Sequence, residues 1–146
     1  MRRLIRAPRQ CVAIVALACA SGVAQAGEDE RALVELPAMM QAHMLSNMRD
    51  HLATLNEILS RMGRGDLDGA ADIAEARLGM SSLEAHQAAH MAKFMPAGMQ
   101  HAGTDMHRAA SRFALKAQEG DAGQAYRSLS EVTAACVACH AAYRIR

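Results

Sequence analysis

From Leu36 onward the apolar positions recur every three or four residues, and no stretch shows the period of two expected of a half-buried strand. An all-α chain is expected. The longest stripe is Leu45, Met48, Leu52, Leu55, Leu59 and Met62, the seam by which a helix packs on its neighbours. That first helix should open at Pro37, a residue suited to the first helical position, and close near Met62, ahead of Gly63 and Gly65. Asp66 or Asp68 can cap a second helix that carries Leu67, Ala71, Ala74 and Leu78 on one face. Beyond Gly79 the phase changes to Met80, Leu83, Gln87, His90 or Met91, and Phe94, so a kink is expected there. "MPAGMQHAG" reads as the longest connection, followed by a third helix capped by Thr104, with Met106, Ala110, Phe113 and Ala117 inward and Gly120 at its end. A fourth opens at Asp121, with Gln124 in the capping-box position and a stripe of Ala125, Leu129, Val132, Cys136, Cys139 and Tyr143. Helices joined by mostly short connections predict an antiparallel four-helix bundle.

The first 26 residues stand apart from this pattern. Arg2, Arg3, Arg6 and Arg9 precede an apolar run from Cys11 to Ala24, and Ala24-Gln25-Ala26 has the small-x-small form of a cleavage site. Residues 1–26 are therefore expected to be a secretory signal peptide, leaving residues 27–146 as one domain in the periplasm. A retained anchor is the competing reading, but the run falls short of the ~20 apolar residues that span a bilayer. Processing as a lipoprotein at Cys19 is a weaker alternative, because Ala16-Leu17-Ala18 lacks the usual leucine three positions upstream. Loss of the leader's four arginines turns a net charge of +1 negative. No nucleic-acid partner is expected of such a surface.

Cleavage also removes Cys11 and Cys19, so the exported domain keeps only Cys136 and Cys139 of the four cysteines. A disulfide between residues so close in sequence would close almost no loop, and stapling is not their purpose. The domain has no Trp and only Phe94, Phe113, Tyr126 and Tyr143 as aromatics. A core this poor in ring-bearing side chains has room for a bound group.

The last residues, "CVACHAAYRIR", name a candidate. Cys136, Cys139 and His140 project from one side of a helix. C-x-x-C-H is the attachment motif of haem c: two thiols form thioethers to the porphyrin edge and the following imidazole ligates iron. A zinc site would need two further ligands, recruited from His86 and His90 or from His101 and His107. A redox dithiol is expected at a helix N-terminus beside βαβ units, whereas this pair lies in the last turns of a helix in a chain without strands.

The final helix, with "GD", an Ala/Leu stripe, a Val before the cysteines and then "CVACHAAYR", resembles the C-terminal helix of cytochrome c′ (cytochrome c prime) and of its methionine-ligated, low-spin relatives. "FMPAG" is similar to that family's Phe-Pro-x-Gly loop, with Met95 interposed between Phe94 and Pro96. The resemblance covers the last 45 or so residues best. It implies that Cys136 and Cys139 hold one haem, that His140 is the proximal iron ligand, and that Arg144 lies near the haem edge. Arg144 is also one helical turn beyond His140, in reach of a propionate, although a basic residue near a helix C-terminus needs no such reason.

In high-spin members of that family a nonpolar residue of the first helix covers the far side of the iron; in the low-spin relatives a Met from that helix is the sixth ligand. The first helix here offers Met39, Met40, His43, Met44, Met48 and His51. Counted back from Gly65, the family's distal position falls at Met48, with Met44 second. Where the family has an Arg-Gln pair one turn earlier, this chain has Met44 and Leu45. A His and Met pair suits electron transfer with a periplasmic or membrane redox partner, and an open site suits nitric oxide or another small gas. Homodimers are common in the resembled family. "HMAKFMPAGMQHAGTDMH" intersperses Met and His in a way that also suits copper. No paired carboxylates, nucleophile with base, or phosphate loop points to an enzyme.

Overall fold

The computed structural model describes residues 29–146; the expected leader at residues 1–26 lies outside the described residues. What is described is all-α apart from one short pairing. Strand β1 (Ala32–Leu33) runs parallel to β2 (Tyr143–Arg144), and between them lie α1 (Ala38–Gly63), α2 (Leu67–Arg77), α3 (Ala88–Met91), α4 (Ala97–Gln118) and α5 (Ala122–Ala142). Two 3₁₀ turns, Met80–Ser82 and Ala92–Phe94, flank α3.

The helix ends follow their capping chemistry. Asp66 accepts from the Gly69 amide at 3.0 Å and starts α2, and Asp121 accepts from the Gln124 amide at 3.0 Å and starts α5. Gly65 and Gly120 take positive φ values of 79° and 81°, the left-handed turn that lets the chain leave one helix and enter the next. Pro37 sits just outside α1 as its capping residue rather than as its first helical residue.

Two expectations fail. "MPAGMQHAG" is no loop: α4 begins at Ala97, immediately after Pro96, and runs through Gly98 and Gly103. The Thr104 hydroxyl donates to the Gln100 carbonyl at 2.9 Å, inside a helix already under way, and caps nothing. The second failure concerns the buried face of α1. Leu52 is 70% exposed and Leu59 49%, while His51, Thr54, Ile58 and Met62 are buried. Of the expected stripe Met62 is buried and Leu55 packs against the core, but Leu52 and Leu59 turn outward, and the row one residue earlier, His51, Thr54 and Ile58, takes the buried face beside them. Thr54 is tolerated there because its hydroxyl donates to the Asp50 carbonyl at 2.7 Å. The break at Gly79 is as expected: α2 ends at Arg77 and short irregular turns follow.

The core is built from Ile58 and Met62 of α1, Ala70, Ala71 and Ala74 of α2, Phe113 and its neighbours in α4, and Ala125, Leu129 and Val132 of α5. Alanines at so many of these positions let the backbones approach closely. Close packing joins α1 to α2, α2 to α4 and α4 to α5, with no comparable approach of α5 to α1.

Candidate functional site

At one end of the interval between α1 and α5 lies a cavity of about 650 Å³. Its wall includes Met44, Met48 and His51 from α1 and Cys139, His140 and Arg144 from the end of the chain. Met91, Met95, Met99 and Met106 extend it on the side of α3 and α4. The exposed wall is mostly apolar, with six methionines contributing to it, and polar side chains including His51, His86, His107 and Arg144 stand among them.

Cys139 is half-buried on the wall, and Cys136, one turn earlier, is half-buried against the core without lining the cavity. Burial pushes both thiols up from their ordinary value, and for Cys136 the neighbouring Cys139 adds to the effect. A redox dithiol needs the opposite shift, so the environment disfavours that reading of the pair. His140 is exposed at the mouth of the cavity.

The first and last segments of the described residues are tied together here. Val34 donates its amide to the Arg144 carbonyl at 2.8 Å, Arg31 reaches the His140 carbonyl at 3.4 Å, and Gln41 donates to the Ile145 carbonyl. Arg144 lies 3.6 Å from the Asp29 carboxylate through Nε, which is buried and has no hydrogen-bond partner. A guanidinium in that state retains donors for an anionic group in the cavity. The Tyr143 hydroxyl rests against Gly98 of α4, where a Cβ would collide with it.

Of the other distal candidates, Met39 is 75% exposed and Met40 is buried away from the cavity. His43 points its Nε2 at the His86 carbonyl, 3.0 Å away, and Asn47 donates to the same oxygen at 3.3 Å. This anchors the backbone of His86 next to Gln87, which adopts a left-handed φ of 52°. His90 and His101 are exposed.

The sequence pattern did not reveal a cluster of three imidazoles on the same wall. His51, His86 and His107 stand 4.8, 5.4 and 5.9 Å apart between ring centroids. Burial lowers all three below the usual histidine range; His51, with His86 and His107 adding to the effect, falls to about 4. All three are neutral at neutral pH. His51 Nε2 is buried without a hydrogen-bond partner. The one available signal was that His51 precedes Thr54 and Ile58 at spacings of three and four, a row that only its many polar members disguised. No known protein family, curated protein or solved structure matches this chain.

Proposed function

We propose that this chain is an exported c-type cytochrome that carries one covalently attached haem c and transfers single electrons. The observation that supports it most is that Cys139 and His140 of the attachment motif and Met44 and Met48 of α1 line one cavity of about 650 Å³. That volume lies in the ~300–1,000 Å³ range of cofactor-sized sites. The residues fit the group. Cys139 would supply one thiol from the wall and Cys136, which packs on the core one turn earlier, the second after turning toward the cavity; His140 would supply the proximal imidazole, Met48 the distal thioether with Met44 as second choice, and Arg144, ion-paired to Asp29 at 3.6 Å, a cation for a propionate. When bound, haem supplies a one-electron iron couple whose potential follows its axial ligands and the polarity around it. The apolar side chains on the wall would lower the polarity around the group, and the clasp of β1 on β2 fixes the segment that follows His140.

The architecture proposed with this function is an antiparallel four-helix bundle of α1, α2, α4 and α5. Short connections support it, as does the order of contacts along α1 and α5: residues 44–51 share a cavity with residues 139–140, and residues 52–59 share a groove with residues 126–133. Residues 1–26 act as the signal peptide, the location is the periplasm, and the partner is a periplasmic or membrane redox protein. Self-association as a homodimer belongs to the same proposal, as does the lack of enzymatic turnover. A five-coordinate gas-binding haem is the second reading, favoured by the unpartnered His51 Nε2 on the α1 wall, a polar atom suited to a bound diatomic molecule.

The test is the optical spectrum of the protein expressed with the periplasmic haem-attachment machinery, ferric and ferrous, with and without carbon monoxide. Sharp ferrous α and β bands that carbon monoxide leaves alone are expected. Broad high-spin bands with ready carbon monoxide binding would transfer the assignment to the gas-binding reading, and a chain that leaves the periplasm colourless would remove both.

A further inference from the structure

We propose that His51, His86 and His107 form a second metal site, a three-imidazole site for a first-row divalent ion of the zinc class, set in the wall of the cavity. The rings come from three separate elements: α1, the turn before α3, and α4. A tetrahedral ion held about 2.0–2.1 Å from three imidazole nitrogens would place the ring centroids roughly 5 Å apart. The observed 4.8, 5.4 and 5.9 Å bracket that spacing. Among the described residues no group of three or more His, Cys, Asp or Glu side chains is placed to hold a metal ion as it stands, so binding requires the three rings to turn their nitrogens toward a common point by rotation about χ1 and χ2.

The hydrogen bonds behind the rings favour the tautomers such a site needs. His107 Nδ1 lies 2.7 Å from the Leu78 carbonyl, which can only accept, so the ring proton is on Nδ1 and the Nε2 lone pair is free. Ser82 is buried, and its hydroxyl donates to the Gly79 carbonyl at 2.7 Å. Its oxygen therefore accepts from His86 Nδ1 at 3.3 Å, which again leaves Nε2 bare. A carbonyl or hydroxyl behind the ligating ring is the arrangement by which proteins orient metal-bound histidine. His51 contributes the third nitrogen: its residue is 8% exposed and its Nε2 has no partner, a state that costs stability unless something binds it. The neutral imidazoles need lose no proton to bind; the nearby Asp50 carboxylate, whose field reaches both His51 and His86, is already paired with Arg77. All three rings line the cavity, so a fourth coordination position would open into it.

The proposal rests on the methionine-ligated haem reading, in which none of the three rings is a ligand of the iron; the gas-binding reading would claim His51 for the haem site instead. Zinc is titrated calorimetrically into chelator-stripped, haem-loaded protein, in which Cys136 and Cys139 are no longer free thiols. If haem does not attach, iodoacetamide-capped protein takes its place, which keeps failure of one reading separate from failure of the other. One zinc per chain is expected, with little proton release between buffers of different ionisation enthalpy. His51→Gln and His107→Gln, which keep a buried polar side chain of similar bulk, should each weaken binding at least about tenfold. His101→Gln, on an exposed position, should not change it. Failure to bind one equivalent, or stoichiometric binding that survives the double His51→Gln/His107→Gln substitution in a folded chain, would overturn the site.

Discussion

Met44 and Met48 lie one turn apart on α1, are both half-buried, and both reach the cavity. Either thioether could fill space there, because Met adapts to irregular gaps. Ligation would separate them, since in the proposed haem protein only one of the two sulfurs could serve as the second axial ligand. Leu replaces Met at nearly constant volume and costs less than about 1.5 kcal/mol in a core, so the substitution removes the sulfur while sparing the fold. Met48→Leu in the haem-loaded protein is expected to convert a low-spin spectrum to a high-spin one that binds carbon monoxide, and Met44→Leu to leave it unchanged. Magnetic circular dichroism in the near infrared reads the loss of sulfur ligation directly. If Met44→Leu opens the site instead, the register of α1 against α5 is one turn earlier than proposed. If neither does, the sixth ligand is not a methionine.

Along α1, the side that faces the core carries His51, Thr54, Ile58 and Met62, and the more regular leucine stripe beside it looks outward toward a groove with Tyr126 and Thr133 of α5. Truncation should expose the difference. Ile58 is wholly buried, and Ile58→Ala is expected to cost about 2–5 kcal/mol. Leu52 is 70% exposed, and Leu52→Ala should stay within about 0.5 kcal/mol. Chemical denaturation midpoints measure both, and a larger cost at Leu52 would mean that its face is covered in solution. Hydrophobic periodicity placed Leu55 and Met62 correctly but Leu52 and Leu59 wrongly, because Thr54, whose hydroxyl bonds the Asp50 carbonyl, and a neutral His51 take buried places that a count of apolar residues does not register. The start of α4 was hidden similarly. Pro96, Gly98 and Gly103 spell a loop, but Pro96 is well placed as a helix cap, and the absence of a Cβ at Gly98 makes room for Tyr143. Where side-chain chemistry alone decides, at the Asp66 and Asp121 caps and the buried face of α5 from Ala125 to Val132, the sequence was readable. The C-x-x-C-H motif was legible for the same reason. The three-histidine cluster was not, because its members come from distant parts of the chain and meet only through the packing of α1 against the turns that follow α2.

Among the described residues three helix pairs pack tightly, α1 with α2, α2 with α4 and α4 with α5, and α5 makes no comparable contact with α1. α1, α2, α4 and α5 join in sequence through an alanine-rich core, and the interval between α5 and α1 is occupied by the cavity at one end and the leucine groove at the other. An apolar volume of this size left to water forfeits the dispersion contacts and burial that its methionines could make. A covalent group filling it would become part of the core, and its attachment to α5 would carry α1 along. The stability of the two faces is therefore expected to respond unequally to haem. In the Cys136→Ala/Cys139→Ala variant, amide hydrogen exchange should quicken in the first half of α1, in the last turns of α5 and in the β1–β2 pair, whose Val34 amide bonds the chain just beyond His140. The amides around Ala71, Ala110 and Phe113 lie in the α2–α4 contact and should keep their protection. Equal loss everywhere would mean that the domain unfolds as one cooperative unit without the group. Unchanged exchange beside the cavity would mean that the group contributes nothing to holding α1 against α5, and would count against a haem seated between them.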